Sequence, residues 1–341
     1  MTPQVSIIIP TLNRAVSLKK TIESVFANKF QNYELIIVDN GSTDSTRSVC
    51  EVFSAKPNLV YLYDETPGLL TGRHVGFSKS RAPVICFLDD DVEINNNYIE
   101  NLIHTFNDER IQLATGPCLP RYEAEPPGWL NYMWDETNEG RFCAWLSLLD
   151  FGNQKHTIHP NFVWGLNFCI RREVLIELGG FHPDSMPKRL QKFQGDGETG
   201  LTLKAALKGC TAIYVPGLSL YHHVNQERCT KNYFNKRAFF QGVCNSFTEI
   251  RTKILFKPIK DSSKISISRK IRNALHPYYK WIRKSSKTEV KKLPDEINSI
   301  LSDLKAAELA GYNYHQEAFK NDPLVKEWVL RKNYWTFKLP K

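Results

Sequence analysis

The sequence of 341 residues contains no uninterrupted apolar run of the length that a membrane helix requires, about 18 to 20 residues. Its first residues, MTPQVSIIIP, include neither a basic region nor a cleavage site and so do not resemble a secretory signal peptide. The eight cysteines are scattered singly without a C-x-x-C pair, which argues against a zinc ribbon and a disulfide scaffold. We therefore expect a cytoplasmic protein with reduced thiols.

The charge of the chain is unevenly distributed. The formal net charge is +9, yet residues 251–292 contain fourteen Lys or Arg against only Asp261 and Glu289. Isoleucines and aromatic residues are interleaved with these basic residues, which fits peripheral contact with an anionic membrane and equally fits a solvated helical linker. Since no nucleic-acid recognition motif accompanies the charge, we expect no nucleic-acid partner.

The first third of the chain alternates short apolar runs with helical patterns. VSIIIP, ELIIV, LVYLY and VICFL are typical of buried strands, and the helical pattern after the first strand places Leu18, Ile22 and Val25 on one face. Such alternation predicts an α/β fold with a Rossmann-like, mostly parallel sheet flanked by helices. Ligands of these folds bind at the carboxyl ends of the strands.

Polar residues lie where these strands are expected to end. Thr11 and Asp39 close the first two strands, and Asp89, Asp90 and Asp91 directly follow VICFL. Alternate residues of an extended chain point to the same side, so we expect Asp89 and Asp91 to share one side and Asp90 to face the other. Carboxylates in this arrangement suit Mg²⁺ or Mn²⁺, whereas the alternative is a solvated acidic turn.

Four further residues are candidates for binding or catalysis. Arg73, within the predicted Gly-rich loop PGLLTGRHVG, could hold a diphosphate with two hydrogen bonds or form a surface ion pair. Asp196 and Glu198 lie at the mouth of a predicted helix, where they could cap it or serve as a general base. His222 follows a predicted strand and is either structural or an additional ligand of the cation.

The last part of the chain contains one well-delimited helical pattern. We expect a helix that begins at Pro294 and Asp295 and is stopped by Gly311. The apolar face of this helix is predicted to consist of Ile297, Ile300, Leu301 and Leu304.

Five ordered motifs together resemble the inverting glycosyltransferases of family 2, which have a nucleotide-sugar-binding GT-A fold. VSIIIPTLNR resembles the opening strand and loop, IIVDNGSTDST the nucleobase-binding Asp with its turn, and FLDDDVE the D-x-D metal site. GLNFCIRREVLIELGGF resembles the acceptor-side strand, and GDGETGL the acidic motif that supplies the base. The resemblance covers roughly residues 3–225.

The resemblance implies roles for individual residues. It implies that the nucleotide is bound by Thr11, Asp39, Arg73, Asp89 and Asp90, that Asp91 and Asp89 bind Mn²⁺ or Mg²⁺, and that Trp164, Gly165 and Asn167 line the sugar and acceptor cleft. Alignment on Leu201 places Gly197 where the family has Glu and Glu198 where it has Asp. Glu198 is therefore the expected base, and Asp196 an acceptor-binding residue or the alternative base.

The resemblance also implies an activity and a domain organisation. We expect a metal-dependent, inverting transfer from a nucleotide sugar, with UDP the commonest carrier in the family, to a glycan or lipid-linked acceptor in surface polysaccharide biosynthesis. A GT-A domain, residues 1–250, would comprise a nucleotide-binding half, 1–115, and an acceptor half, 116–250. The basic segment 251–292 and a helical tail, 293–341, would form a C-terminal extension. Through the basic segment the cytoplasmic enzyme could be peripheral at the inner membrane face.

Two other functions are compatible with the same residues. One is a non-catalytic module that binds nucleotide sugars or glycans, which the departure from the family's Glu-Asp pattern allows. The other is a nucleotidyltransferase, although PTLNRAVS is not the Gly-rich basic signature that such enzymes usually carry near the first strand.

Overall fold

The computed structural model of the protein describes residues 2–255 and 293–336. The predicted basic segment 251–292 lies outside this range except for its first residues, so its proposed contact with a membrane stays a prediction. Within the described residues, no helix has both the length and the apolar character that spanning a bilayer requires.

The chain forms fourteen strands within the described residues. They are β1 Val5–Thr11, β2 Tyr33–Asp39, β3 Leu59–Tyr63, β4 Val84–Leu88, β5 Val92–Ile94, β6 Leu113–Thr115, β7 Cys118–Tyr122, β8 Asp135–Thr137, β9 Gly140–Cys143, β10 Leu148–Asp150, β11 His156–Ile158, β12 Asn167–Arg171, β13 Ala212–Tyr214 and β14 Leu220–Val224.

The α-helices of the described residues lie mostly between and after these strands. They are α1 Ala15–Phe26, α2 Thr46–Val52, α3 Leu69–Lys79, α4 Tyr98–Phe106, α5 Arg172–Glu177, α6 Thr199–Lys208, α7 Lys231–Leu255, α8 Asp295–Asn321 and α9 Pro323–Val329.

Eight strands form the larger sheet, in the order β11-β13-β6-β12-β4-β1-β2-β3. Strand β1 runs parallel to both β2 and β4, and β12 is inserted antiparallel between β4 and β6. Every residue of β1 and β2 is buried, because helices cover both faces of the sheet. The predicted Rossmann-like, mostly parallel sheet is therefore confirmed, and the carboxyl ends of β1, β2 and β4 meet at one edge.

The smaller sheet has six strands in the order β5-β14-β7-β10-β9-β8. Strand β14 pairs antiparallel with β5, so His222 lies opposite Val92. The pairing continues into the preceding turn, where the His223 N–H donates to the Asp91 carbonyl (2.8 Å). This sheet thereby brings a segment more than a hundred residues downstream against the acidic run after β4.

Helices α7 and α8 pack together at unusually close range. A Cβ atom on Gly311 would lie 1.9 Å from the Phe239 carbonyl oxygen, and one on Gly242 would lie 1.9 Å from the Glu308 carbonyl oxygen. The predicted stop at Gly311 is wrong, since α8 continues to Asn321 and uses this glycine as a helix contact.

The apolar face predicted for this helix is confirmed at three positions and wrong at one. Ile297, Ile300 and Leu304 are buried, whereas Leu301 is 40% exposed. Adjacent residues of a helix point in directions about 100° apart, so Leu301 points away from the side on which its neighbour Ile300 is buried.

The helix crossing predicts the effect of Gly311→Ala. In an ordinary helix interior this substitution gains up to about 1 kcal/mol of helix propensity. Here the added methyl group meets backbone, which has no rotamer to move, so we expect a net loss of about 1–3 kcal/mol in the free energy of unfolding. Urea unfolding measures it.

Gly128→Ala is the matched control, because a Cβ there has no atom within 4 Å. It should change the free energy of unfolding by less than about 0.5 kcal/mol. A Gly311→Ala protein as stable as wild type would contradict the close helix contact.

A buried histidine on α8 predicts a pH dependence. Burial lowers the pKa of His315 from 6.5 to about 4, and its Nδ1 lies 2.7 Å from Ser246 Oγ. Between these two pH values the unfolded chain binds a proton that the folded protein does not. Stability should therefore fall as pH falls from 6.5 towards 4, by about 1.4 kcal/mol per pH unit for this group.

Other groups titrate in the same pH range, so the contribution of His315 is measured as the difference in stability between the wild type and a variant without this histidine. The stability of wild type and of His315→Gln, followed by urea unfolding from pH 7 to pH 4.5, should decline with different slopes. Equal slopes would show that His315 is not held neutral in the fold.

Candidate active site

The acidic run after β4 lies in a turn. Strand β4 ends at Leu88, and the chain leaves the extended conformation before Asp91. Asp90 Oδ1 and Asp91 Oδ2 both accept from Arg14 Nη1, at 3.2 and 2.5 Å. The expectation that Asp90 faces the side opposite to Asp91 is therefore wrong, because the alternation of an extended strand does not apply in a turn.

Asp90 is directed into the protein. Its Oδ2 accepts a hydrogen bond from the Thr11 hydroxyl at 2.7 Å. Burial raises the pKa of Asp90 to about 7, although the Arg14 charge and the Thr11 hydrogen bond favour the ionised form. Thr11 and Asp90, both predicted to bind the nucleotide, thus bind each other and fix the turn to the end of β1.

Asp91 is surrounded by cationic and imidazole groups. Arg228 Nη2 lies 2.9 Å from its Oδ2, and His222 Nε2 lies 3.5 Å from its Oδ1. Burial alone would raise the pKa of Asp91, but the interactions with His222, Arg228 and Arg14 outweigh it and hold that pKa well below its usual range. Asp91 is therefore an anion at neutral pH.

Asp91 and His222 offer two atoms of the type that a divalent cation binds, although Arg14 and Arg228 already lie against them. Asp91 Oδ1 is buried and has no hydrogen-bond partner among the described residues. His222 Nδ1 donates to the Leu146 carbonyl at 2.9 Å, and its Nε2 lies 2.6 Å from Arg228 Nη1 and 3.5 Å from Asp91 Oδ1. An oxygen and an imidazole nitrogen are ligands that Mn²⁺ accepts.

The protein supplies only part of a coordination shell at this point. Across residues 2–255 and 293–336, no three His, Cys, Asp or Glu side chains converge as a metal site would require. Asp89, predicted as a further ligand, lies 3.9 Å from Arg73 and also interacts electrostatically with Asp91 and His222, so its part in a cation site stays a prediction. Mg²⁺ commonly takes one or two carboxylates and completes its shell with water and phosphate, which this arrangement would permit.

Arg73 lies in helix α3, and its prediction as part of a Gly-rich loop is wrong. The glycines of this segment serve helix packing. A Cβ on Gly72 would lie 2.6 Å from Pro10 Cβ, and one on Gly76 would lie 2.4 Å from Ile8 Cγ2. The missing side chains let α3 pack tightly on β1, which sets the position of Arg73 at the carboxyl edge.

The guanidinium of Arg73 lies between two acids. Its Nη1 is 3.4 Å from Glu198 Oε2, its Nη2 is 3.9 Å from Asp89 Oδ1, and its Cζ lies 4.8 Å from the Phe181 ring centroid. The side chain is only 3% exposed. A Cβ on Gly165 would lie 2.0 Å from Nη2, so only glycine leaves room for this arrangement.

The two acids of the GDGETGL motif have different surroundings. Glu198 directly precedes α6, accepts from the Gly165 N–H at 3.2 Å and keeps 25% of its side chain exposed. Asp196 is 1% exposed, and its two oxygens bond to His182 Nδ1 and the Thr248 hydroxyl, each at 2.6 Å. Burial opposes ionisation of Asp196, but these two partners outweigh it and lower its pKa.

Asp39 closes β2 at the predicted edge. Its Oδ1 accepts from the Ser42 N–H and its Oδ2 from the Tyr61 hydroxyl, both at 2.7 Å. Burial, together with the hydrogen bond and charge of Asp39, raises the pKa of Tyr61 above its ordinary value, so the phenol stays protonated. Asp39 thus organises the turn after β2.

A cavity of about 490 Å³ opens beside Glu198. Aromatic rings form much of its wall, contributed by Phe142, Trp145, Phe162, Trp164 and Phe240. Asp184, Asp196, Arg237 and Gln241 are among its polar lining residues. This size is within the range of small-molecule sites, and the combination of rings with a few polar groups is typical of them.

Asn167, predicted to line the acceptor cleft, is fully buried at the start of β12. It donates to the Leu218 carbonyl at 2.9 Å and accepts from the Tyr98 hydroxyl. Trp164 and Gly165, predicted with it, do lie at the cavity or against Glu198.

Several residues of this site were missed by the sequence analysis. Arg14 follows β1 in the TLNR loop, and its position at the carboxyl edge is a signal that could have identified it. Arg228 and the α7 residues Arg237 and Phe240 carry no comparable signal, since they reach the site only through the packing of β14 and α7.

Comparison with known proteins identifies related sequences. The family model described as glycosyl transferase family 2 matches residues 6–179. Glycosyltransferase GlyA of Streptococcus pneumoniae is 27% identical over 123 residues, which are 36% of this chain and 18% of that protein. Glycosyltransferase AglE of Haloferax volcanii is 32% identical over 118 residues, 33% of this chain and 39% of that protein. The chain thus spans well under half the length of these two relatives.

A longer alignment and a solved structure extend the comparison. The glucosyl-dolichyl phosphate glucuronosyltransferase of Haloferax volcanii is 24% identical over 243 residues, 70% of this chain and 75% of that protein. The mannosyltransferase PcManGT from Pyrobaculum calidifontis, solved with GDP-Man and Mn²⁺, superposes with a TM-score of 0.58 at 17% identity. That match covers 93% of this chain and 88% of the other, and it shows a common fold.

Proposed function

The chain belongs to glycosyl transferase family 2 and has the GT-A fold, and on this premise we propose that it transfers a sugar from a nucleotide sugar to a hydroxyl group of a glycan or lipid-linked acceptor. The observation that carries the proposal is the contact of Arg73 with both Asp89 and Glu198. It joins an acid at the end of β4 to an acid at the start of α6 within one site.

We assign the donor to the carboxyl edge of β1, β2 and β4. Thr11 and Asp90 bond to each other, and Asp39 bonds to Ser42 and Tyr61, so these residues shape the edge. The Asp89 side chain, 36% exposed, is left to face the donor, with the buried Arg73 behind it. A nucleoside diphosphate is the proposed leaving group, with UDP as the expected carrier. PcManGT, which has the same fold, was solved with GDP-Man, so both nucleotides belong in a donor screen.

The cation is assigned to Asp91 and His222. These residues would hold Mn²⁺ or Mg²⁺ through Asp91 Oδ1 and His222 Nε2, which requires the Arg228 guanidinium to move off the imidazole. When bound, such an ion supplies Lewis-acid stabilisation of the negative charge on the departing diphosphate. Arg14 and Arg228 neutralise the same carboxylate and lie close enough to contribute positive charge themselves.

We assign the acceptor to the aromatic cavity. The apolar faces of sugar rings pack on aromatic side chains, while sugar hydroxyls need polar partners such as Asp184, Arg237 and Gln241. The acceptor hydroxyl would lie beside Glu198, on the opposite side of the transferred sugar from the diphosphate.

Glu198 is the proposed general base. It takes the proton of the acceptor hydroxyl as the oxygen forms a bond to the anomeric carbon and the bond from that carbon to the diphosphate breaks, with inversion of configuration. Arg73 and the Gly165 N–H hold the carboxylate in place. Asp196 is only 1% exposed, against 25% for Glu198, and bonds to His182 and Thr248, so its proposed part is to fix the loop that presents Glu198.

Replacement of the base gives a direct test. Glu198→Gln keeps the shape and the Arg73 contact but cannot accept a proton, so transfer should fall by about 10²- to 10⁴-fold with donor affinity unchanged. Product formation is measured by chromatography and donor affinity by calorimetry. Asp196→Asn is the comparison, and it should act chiefly by lowering stability.

The same assay separates the competing functions. Release of a nucleoside diphosphate with each transferred sugar supports the proposal, whereas release of inorganic diphosphate would indicate a nucleotidyltransferase. Binding of a nucleotide sugar without turnover by the wild type would indicate a binding module. Transfer by Glu198→Gln at the wild-type rate would refute the assignment of the base.

Replacement of Asp91 tests the cation site. Asp91→Asn retains the volume but removes the negative charge and replaces one acceptor oxygen with an NH2 donor, so Mn²⁺ affinity, measured by electron paramagnetic resonance of free Mn²⁺, should fall at least about tenfold. Asp89→Asn should weaken Mn²⁺ binding much less, since Asp89 faces Arg73. The reverse order would place the ion at Asp89.

A further inference from the structure

The C-terminal segment, residues 322–335, packs on the part of the chain that carries the acids of the site. Trp328 Nε1 donates to the Phe193 carbonyl at 2.8 Å, and the Tyr334 hydroxyl donates to the Trp328 carbonyl at 2.6 Å. Arg251, at the end of α7, donates to the Arg331 carbonyl at 2.7 Å. The segment is thus anchored along its length, although it lies beyond the residues that the family model matches.

His74 connects this segment to the active site. Its Nδ1 lies 3.1 Å from the Tyr334 carbonyl, and its Nε2 lies 3.1 Å from the Phe181 backbone nitrogen. Because the Phe181 N–H must donate to Nε2, the ring proton is on Nδ1 and donates to Tyr334. Burial lowers the pKa of His74 to about 3, so the ring keeps this neutral form.

Trp335 covers the same imidazole. The two rings stack with centroids 4.4 Å apart, and the indole also lies 5.1 Å from Phe77 on helix α3. A Cβ on Gly180 would lie 2.7 Å from His74 Nε2 and 2.9 Å from the Trp335 ring. Gly180, with a φ of +70°, therefore permits both the turn and the close approach of the indole.

The contacts of His74 lead directly to Arg73. The Phe181 residue whose N–H binds His74 also supplies the ring that lies under the Arg73 guanidinium. Arg73 and His74 are neighbours in α3, so the backbone of that helix and the Phe181 ring are both fixed by the C-terminal contact. The guanidinium position against Glu198 depends on these two supports.

A second contact reaches the loop of Glu198 from the same segment. The Tyr334 ring lies 5.6 Å from the His182 ring, whose Nδ1 binds Asp196 at 2.6 Å. Lys204 Nζ lies 3.3 Å from the other ring nitrogen of His182. The C-terminal segment therefore contacts His74, the neighbour of Arg73 in α3, and His182, the partner of Asp196.

We propose that residues 322–335 are a positioning element of the active site, which acts through His74 to hold the Arg73 guanidinium against Phe181 and Glu198. The segment itself does not touch the reacting atoms, so His74 and Trp335 are positioning residues. The proposal rests on the proposed function in so far as Arg73 and Glu198 belong to its catalytic machinery.

Trp335→Ala tests the proposal, with Val325→Ala as the matched control. Val325 is buried in the same segment on α9, so its truncation weakens docking of the segment but leaves the indole on His74. Trp335→Ala should lower kcat by on the order of 10- to 100-fold with the donor KM within about twofold, because misplacement of a catalytic group affects turnover more than binding. Trp335→Phe, which keeps a ring on His74, should restore most of kcat.

A merely structural role predicts a different outcome. In that case Trp335→Ala and Val325→Ala would lose activity only in proportion to their lower melting temperatures, and assays well below melting would give wild-type kcat for both. That result would overturn the proposal.

Crystal structures of the two variants test the proposal without an assay. In Trp335→Ala the Arg73 guanidinium should lie more than 4 Å from Glu198, whereas Val325→Ala should keep the contact. An unchanged guanidinium in Trp335→Ala overturns the inference even if the wild type transfers sugar. A displaced one supports it even if the wild type transfers none, in which case only the proposed function fails.

Discussion

The buried guanidinium of Arg73 is the interaction on which the arrangement of this site depends. A charge removed from water is costly unless opposite charges and polar partners replace the solvent. Asp89, Glu198 and the Phe181 ring supply that replacement from three separate segments. Because each of these groups is held by Arg73 as much as it holds Arg73, the carboxyl edge of β1, β2 and β4 and the start of α6 beside the aromatic cavity are fixed relative to each other.

Glycine makes this arrangement sterically possible. Gly72 and Gly76 bring α3 onto β1, Gly165 leaves space for the guanidinium, and Gly180 admits the Trp335 ring beside His74. Each of these glycines lies in a tight contact rather than in an open, flexible loop. The site is accordingly assembled by close packing of backbone, which explains why residues 322–335, far along the chain, can influence its geometry.

The acids near the site differ in whether their oxygens are already bonded to neighbouring groups. Asp90, Asp196 and Asp39 have their oxygens committed to neighbouring side chains and backbone, and they shape the turns in which they lie. Glu198 remains partly exposed, and Asp91 retains a buried oxygen that has no hydrogen bond to any residue the structure describes. Few of the carboxylates that the sequence places together therefore have an oxygen that could bind a cation or accept a proton from a substrate.

The sequence by itself determined the family, the mostly parallel sheet and the edge at which Thr11, Asp39 and Asp89 lie. The reason is that the motifs, the periodicity of each strand and the order of strands and helices along the chain can all be read locally. Only the tertiary structure decided which acids face the cavity, why Gly311 does not end its helix, and that Arg73 lies in a helix. Partners such as Arg228, Phe240 and Trp335 approach through packing of distant elements, and no local pattern encodes where a distant side chain will arrive.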